Sequence, residues 1–286
     1  MPTNPAEQSD RPTNSTSPGP APTFSILASD LRVLARKEYL LGLLLLARVA
    51  LHNTYRNTFL GMTWSLLQPV IQVLVYSIVF TTIMRFSLKD FTLYLISGLL
   101  PWTFITGSLL ASADSLISRS NMLKACLISK TLFPLADALV QFYMFCLAFV
   151  AMYGFIVLFV APFEWRVLLL PIALVPILIF TFSASIAIAY LAPYARDLGH
   201  LLAVGFASLF WFTPIIYPIE MLPEPLLTVV QHNPLYLLIR PVQIIVYGVN
   251  FPLLEAVAYS MIIAAAAVIV AYAVYRKLRQ RVIFYI

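Results

Sequence analysis

Six stretches of the chain, 64–84, 91–110, 138–160, 167–191, 198–217 and 256–275, run for about twenty residues with little or no charge. A hydrocarbon core about 30 Å thick takes roughly 20 apolar residues to cross as a helix. Inside lipid every backbone N–H and C=O must be bonded within the segment, which a helix achieves by itself. The spacing therefore predicts an all-α integral membrane protein with six transmembrane helices. Composition excludes the soluble alternative. The chain is 61% hydrophobic and 10% charged, whereas a soluble domain is roughly 45–50% apolar and about 25% charged.

Lysine and arginine set the orientation, because positive charge accumulates on the cytoplasmic side. With the N-terminus inside, fourteen basic residues fall on the inner side and four (Arg85, Lys89, Arg166 and Arg240) on the outer. Both termini are thus expected in the cytoplasm, and the net charge of +6 reads as a topology signal rather than a nucleic-acid footprint. Residues 1–28, rich in Pro, Ser, Thr and Asn, read as a disordered cytoplasmic tail. The tail lacks the apolar centre of a secretory leader. The sequon at Asn14 is a chance triplet on a cytoplasmic segment. Residues 29–57 carry a nine-residue uncharged run, too short to span, among Arg32, Arg36, Lys37, Arg48 and Arg56. A helix lying in the interface, leucines towards lipid and basic residues towards headgroups, satisfies both halves; a helix packed on a partner protein is the alternative, and the two are compatible.

The segment FTPIIYPIEMLPEPLLTVVQHNPLYLLIRPVQ, 212–243, is apolar yet holds six prolines. Proline removes a helical hydrogen bond and clashes with the preceding turn, so no continuous span forms. Irregular backbone at membrane depth is tolerated where protein or a cavity covers it. Residues 218–252 are accordingly expected to form short re-entrant helices on the outer face, with a surface hairpin as the alternative.

Sites of chemistry are missing. No GxxxxGK[ST], HExxH or GxSxG occurs. Cys126 and Cys146 have no CxxC spacing, and His52, His200 and His232 are scattered, so neither a metal site nor a disulfide framework is expected. Asp137 and Glu255 sit at span edges, where hydration keeps a carboxylate cheap. What is left is a membrane domain without an engine. Its inner loop 113–131 mixes aliphatics with Arg119, Lys124 and Lys130, as a short helix docking on a partner would, or as a solvated loop would. The second inner loop, LAPYARDLGH, is too short for a domain, so a partner surface there must include Arg196 and Asp197.

Several segments together resemble the membrane subunits, or permeases, of type-2 ABC exporters that move lipid-linked polysaccharides. TYRNTFLGMTWSLLQPVIQVLVYSIVF (54–80) is similar to the start of their first helix, and YLISGLLPWTFITGSL (94–109) to their second. SRSNMLKACLISKTLFPLAD resembles the loop whose helix meets the ATPase. YARDLGHLL, FWFTPIIYPIEMLPE and NPLYLLI resemble the fourth-to-fifth loop, fifth helix and re-entrant region. The likeness covers residues 30–286 in unbroken order. It departs where the family commonly has Phe-Pro-Arg and this chain has Ile128, Ser129 and Lys130.

The resemblance implies a homodimer in the bacterial inner membrane, paired with two ATPase subunits that hold the ATP and Mg, this chain binding no cofactor itself. It implies export of O-antigen, teichoic acid or capsule glycan, as in lipopolysaccharide biosynthesis. The alternative cargo is a drug or simple lipid. ATPase coupling would fall to Arg119, Asn121, Lys124, Lys130, Arg196 and Asp197. Sugar faces stack on aromatic rings, which makes Tyr76, Tyr94, Trp102, Phe104, Trp211, Tyr217, Tyr236 and Tyr247 candidates for the path. Trp and Tyr also belong at membrane interfaces for their own sake.

Overall fold

The computed structural model describes residues 37–55, 61, 63–84, 87–125, 129–159, 162–248, 252–282 and 285. Contacts divide the chain into Met1–Leu41 and Gly42–Ile286. Of the first unit, residues 37–41 are described, as the opening of helix α1 (Lys37–Tyr55). The second holds the rest of α1 and is built from α2 (Thr63–Met84), α3 (Leu88–Ser115), α4 (Ser120–Ala125), α5 (Leu132–Phe159) and α6 (Leu170–Leu191), then α7 (Leu198–Trp211), α8 (Glu224–Gln231), α9 (Pro234–Tyr247) and α10 (Leu253–Leu278). Among the described residues there is no strand.

Four helical segments are long and apolar enough to cross a membrane: Lys89–Ser115, Leu132–Phe159, Trp165–Leu191 and Leu253–Leu278. Leu67–Ile83, Leu198–Trp211 and Pro234–Tyr247 are shorter apolar helices. The expected stretch 91–110 lengthens to Ser115, and 138–160 begins six residues early, at Leu132. Hydropathy missed these ends because they carry Ser, Asp and Pro, which a buried helix terminus accommodates. The stretch 198–217 shortens instead. Its helix stops at Trp211 because Pro214, three residues on, cannot continue it.

Helix α3 is the hub. In its most apolar window 78% of residues are buried, against 33%, 28% and 17% for the other three long segments. It packs on α2, α5, α6, α7 and α9. Three of its hydroxyls are satisfied within the helix: Thr106 Oγ1 donates to Trp102 O, Ser108 Oγ to Phe104 O and Ser112 Oγ to Ser108 O. Helices α6 and α10 make the most extensive pair. The buried face of α10 is Ala256, Ser260, Ala264 and Ala271. Small side chains let backbones approach closely where lipid supplies no hydrophobic drive.

The prolines of 212–243 act mostly as helix starts. Pro223 caps α8, Pro225 and Pro234 occupy first-turn positions of α8 and α9, and Pro241 lies within α9. An N-terminal proline has no intrahelical N–H bond to lose. Helix α8 is exposed save Val230, which is buried, and Leu227, which is half-buried, while α9 is buried along its length against α3, α6 and α10. It ends at Gly248, whose φ of 86° is a left-handed cap that costs glycine little.

Candidate functional site: an aromatic cleft and its polar floor

Helices α2, α3, α5 and α7 enclose a cleft of about 680 Å³. Tyr76 comes from α2, Trp102 and Phe104 from α3, Phe145 from α5, and Phe206, Phe210 and Trp211 from α7. The rings interlock. Trp102 lies edge-on to Phe206 at 6.4 Å and 5.8 Å from Phe210, Tyr76 is 6.4 Å from Phe210, and Phe104 is 5.7 Å from Phe145. Between them stand Gln68, Gln72, Thr103, Thr106 and Gln141. Gln72 Nε2 donates to Tyr76 OH at 3.3 Å. Flat apolar faces interleaved with amides and hydroxyls suit a ligand that presents both C–H faces and hydroxyl groups.

A second cavity, about 500 Å³, lies between residues 46–53 of α1, the end of α3 and the first turns of α5. Its polar walls are Asn53, Arg119, Asp137 and Gln141. Arg119 Nη1 and Nη2 each meet one Asp137 carboxylate oxygen at 2.7 Å, the planar fork that only arginine offers. Nη1 also reaches Ser115 Oγ at 3.0 Å, and the guanidinium lies over the Phe133 ring at 5.8 Å. The Asp137 hydrogen bonds raise the Arg119 pKa against the opposing pull of burial. Asp137 is not at the helix end, because α5 starts five residues before it, and it is 8% exposed. Gln141, one turn on, lines both cavities. A Cβ at Gly107 would stand 3.1 Å from its Oε1, so the glycine leaves room for that amide.

The other four path candidates do not line the cleft. Tyr94 OH donates to the carbonyls of Pro214 and Tyr217, each at 2.8 Å, and Gln243 Nε2 donates to Pro214 O at 2.8 Å. Tyr217 OH donates to Trp211 O at 2.6 Å, and the Tyr247 ring lies edge-on to Tyr94 at 5.2 Å. Tyr236 OH accepts from Arg240. Asn233 caps α9 and donates to Phe212 O and Thr213 Oγ1. This cluster ties the proline-broken backbone to α3 and α9.

Of the six coupling candidates, Asn121, Lys124, Arg196 and Asp197 are exposed. Arg119 is engaged with Asp137, and Lys130 Nζ donates to Arg279 O at 3.2 Å, with burial lowering its pKa. On α1, Lys37 and Arg48 are exposed, as are Leu40, Leu41, Leu44, Leu45 and Val49. Arg32, Arg36 and Arg56 lie outside the described residues, as do the tail 1–28 and Cys126. Among the described residues no group of His, Cys, Asp and Glu could hold a metal. Sequence reasoning passed over Gln72, Gln141, Gln243 and Asn233. An amide inside an otherwise apolar run was the available signal.

Comparison with known proteins agrees with this architecture. O-antigen export system permease protein RfbA of Klebsiella pneumoniae is 29% identical over 210 residues, covering 70% of this chain and 80% of the relative. A second protein of that name and organism is 27% identical over 207 residues, with the same coverage. The RfbA of Myxococcus xanthus is 27% identical over 235 residues, 81% of this chain and 89% of its own. A family model described as ABC-2 type transporter matches residues 42–247, which takes in the first cavity and almost all of the second unit up to Tyr247. With most of its length matched, and with an all-helical apolar fold to carry the match, the chain belongs to the ABC-2 type transporter membrane family.

Proposed function

We propose that this chain is the membrane subunit of an ATP-driven exporter of lipid-linked polysaccharide, and that the aromatic cleft is one half of the cargo's path. The observation that carries the reading is the cleft itself, in a chain whose relatives are named for O-antigen export. Pyranose rings offer C–H faces to aromatic side chains and hydroxyls to amides. The cleft supplies both along about 680 Å³. A second copy would complete the path, α2 and α7 of each facing the other, and two ATPase subunits holding ATP and Mg would drive it.

In this reading the chain crosses the inner membrane six times with both termini in the cytoplasm. Helix α2, with 22 residues, extends about 33 Å and matches the hydrocarbon thickness. Helix α7, with 14 residues, extends about 21 Å. Its anchored continuation, 212–217, makes up the depth under cover of α3 and α9, and α8 with α9 forms the re-entrant excursion. Residues 29–57 lie in the interface, and Asn121, Lys124, Arg196 and Asp197 meet the ATPase. The test is reconstitution with that ATPase in vesicles, scoring whether ATP makes a lipid-linked glycan accessible to an enzyme in the lumen. ATP-dependent access supports the assignment. Movement of a drug or simple lipid with no movement of the glycolipid refutes it.

A further inference from the structure

Five contacts of the Arg119 side chain meet at the turn between α3 and α4, and they have a direction. Arg119 binds backwards to Ser115, at the end of α3, through both its carbonyl (3.3 Å) and its hydroxyl (3.0 Å). It binds across to Asp137 through two bonds of 2.7 Å and lies over Phe133, both on the opening turns of α5. The short helix α4 that follows is two-sided. Leu123 is buried in a cluster with Leu116, Phe133, Ala189, Tyr190 and Val282, while Asn121, Met122 and Lys124 are exposed. The exposed face is available to a partner, and the fork of Arg119 fixes its root to α5.

We propose that the Arg119–Asp137 pair is a positioning pair that makes residues 116–125 move as one piece with α5, so that a push on α4 arrives at Gln141. This rests on the reading of the chain as an ATPase-driven exporter. Asp137 and Gln141 are four residues apart on α5, so their side chains lie on one face of the helix, one turn apart. Gln141 is the residue shared by the two cavities, and Phe145 and Ala148 continue the same helix along the cleft. A single flexible contact would dissipate a displacement of the loop. A bidentate pair transmits it, because separating the two leaves the buried Asp137 carboxylate unpaired, even though Arg119 is half-buried.

The test uses the complex with its ATPase in proteoliposomes, reading ATP hydrolysis and glycolipid movement in the same vesicles. In Asp137→Asn and in Arg119→Lys, which keeps the charge and loses the fork, glycolipid moved per ATP hydrolysed should fall by about tenfold, within the range of ordinary site-to-site coupling. Hydrolysis itself should persist. Asp137→Glu, which keeps the carboxylate, should recover part of the ratio. An unchanged ratio in both variants overturns the proposal. So does a loss of hydrolysis and movement in equal proportion, which is what a merely structural role gives. A wild-type complex that hydrolyses ATP and moves another lipid refutes the glycan assignment alone, and the ratio for that lipid still tests the pair.

Discussion

The Pro214 carbonyl accepts from two side chains, Tyr94 and Gln243, on two different helices. Removing either one should therefore cost less than removing both would suggest. Tyr94→Phe takes away one hydroxyl whose single hydrogen is shared between Pro214 O and Tyr217 O. Pro214 O keeps Gln243, so only Tyr217 O is left wanting. The cost should be about 1 kcal/mol, near the average for side-chain bonds between membrane helices. Gln243→Leu likewise leaves Pro214 O with Tyr94, and because it also removes the buried, unpartnered Gln243 Oε1 it should cost less than Tyr94→Phe. In the double variant the buried carbonyl has neither donor, and an unsatisfied group of this kind adds about 1–3 kcal/mol. The cycle should thus show a coupling energy of about 1 kcal/mol or more, with the double variant worse than the sum. Unfolding by SDS in mixed micelles, followed by tyrosine and tryptophan fluorescence, measures each corner. Strict additivity would mean that the two donors do not share the carbonyl, and the anchoring account of 212–217 would be wrong.

Three further outcomes follow from contacts already described. Gly98→Ala places a methyl 3.3 Å from the Ile215 Cα and 3.2 Å from Gln243 Nε2, so it should lower stability by about 1–3 kcal/mol in the same micelles. Asn233→Ala removes the cap of α9 and two bonds to the 212–213 backbone and side chain and should cost about 1–2 kcal/mol, whereas Asn233→Asp keeps the cap and should cost roughly half that. Gly107→Ala presses on Gln141 Oε1 at 3.1 Å. It should slow glycolipid movement in vesicles several-fold while leaving micelle stability within about 0.5 kcal/mol of wild type.

Much of the fold is legible in the sequence because lipid imposes one rule, a long apolar helix, and 91–110, 138–160, 167–191 and 256–275 obey it. The rule fails where a helix end is buried by protein rather than exposed to lipid. Asp137 is the clearest case: hydropathy reads a carboxylate as a boundary, yet its partner Arg119, eighteen residues earlier, lets it sit inside. Trp102, Phe104, Tyr76 and Trp211 reach the cleft as their aromatic character implies, whereas Tyr94, Tyr217, Tyr236 and Tyr247 do not. Both groups are aromatic and both contain tyrosine, so aromatic character alone does not separate them. What separates them is the break at Pro214, whose freed carbonyls recruit the hydroxyl of Tyr94, and that pairing joins residues 120 apart in the chain.

The two anchored ends meet on one helix. Tyr94, near the start of α3, holds the proline-broken segment, and Ser115, at its end, holds Arg119. The turns between line the cleft with Trp102, Phe104 and Thr106. A helix buried over 78% of its apolar window and tied at its start to the proline-broken segment is poorly placed to move. Helix α5, buried over 33%, has the freedom α3 lacks and carries the opposite cleft wall. Any widening of the cleft on nucleotide binding should then come from α5 turning or sliding against a fixed α3, with α9 following α3. Spin labels on α3 and α5 should change their separation between nucleotide-free and ATP-bound complex, while labels on α3 and α9 should not. Equal shifts in both pairs would make α3 the moving wall and reverse the direction in which the Arg119–Asp137 link carries force.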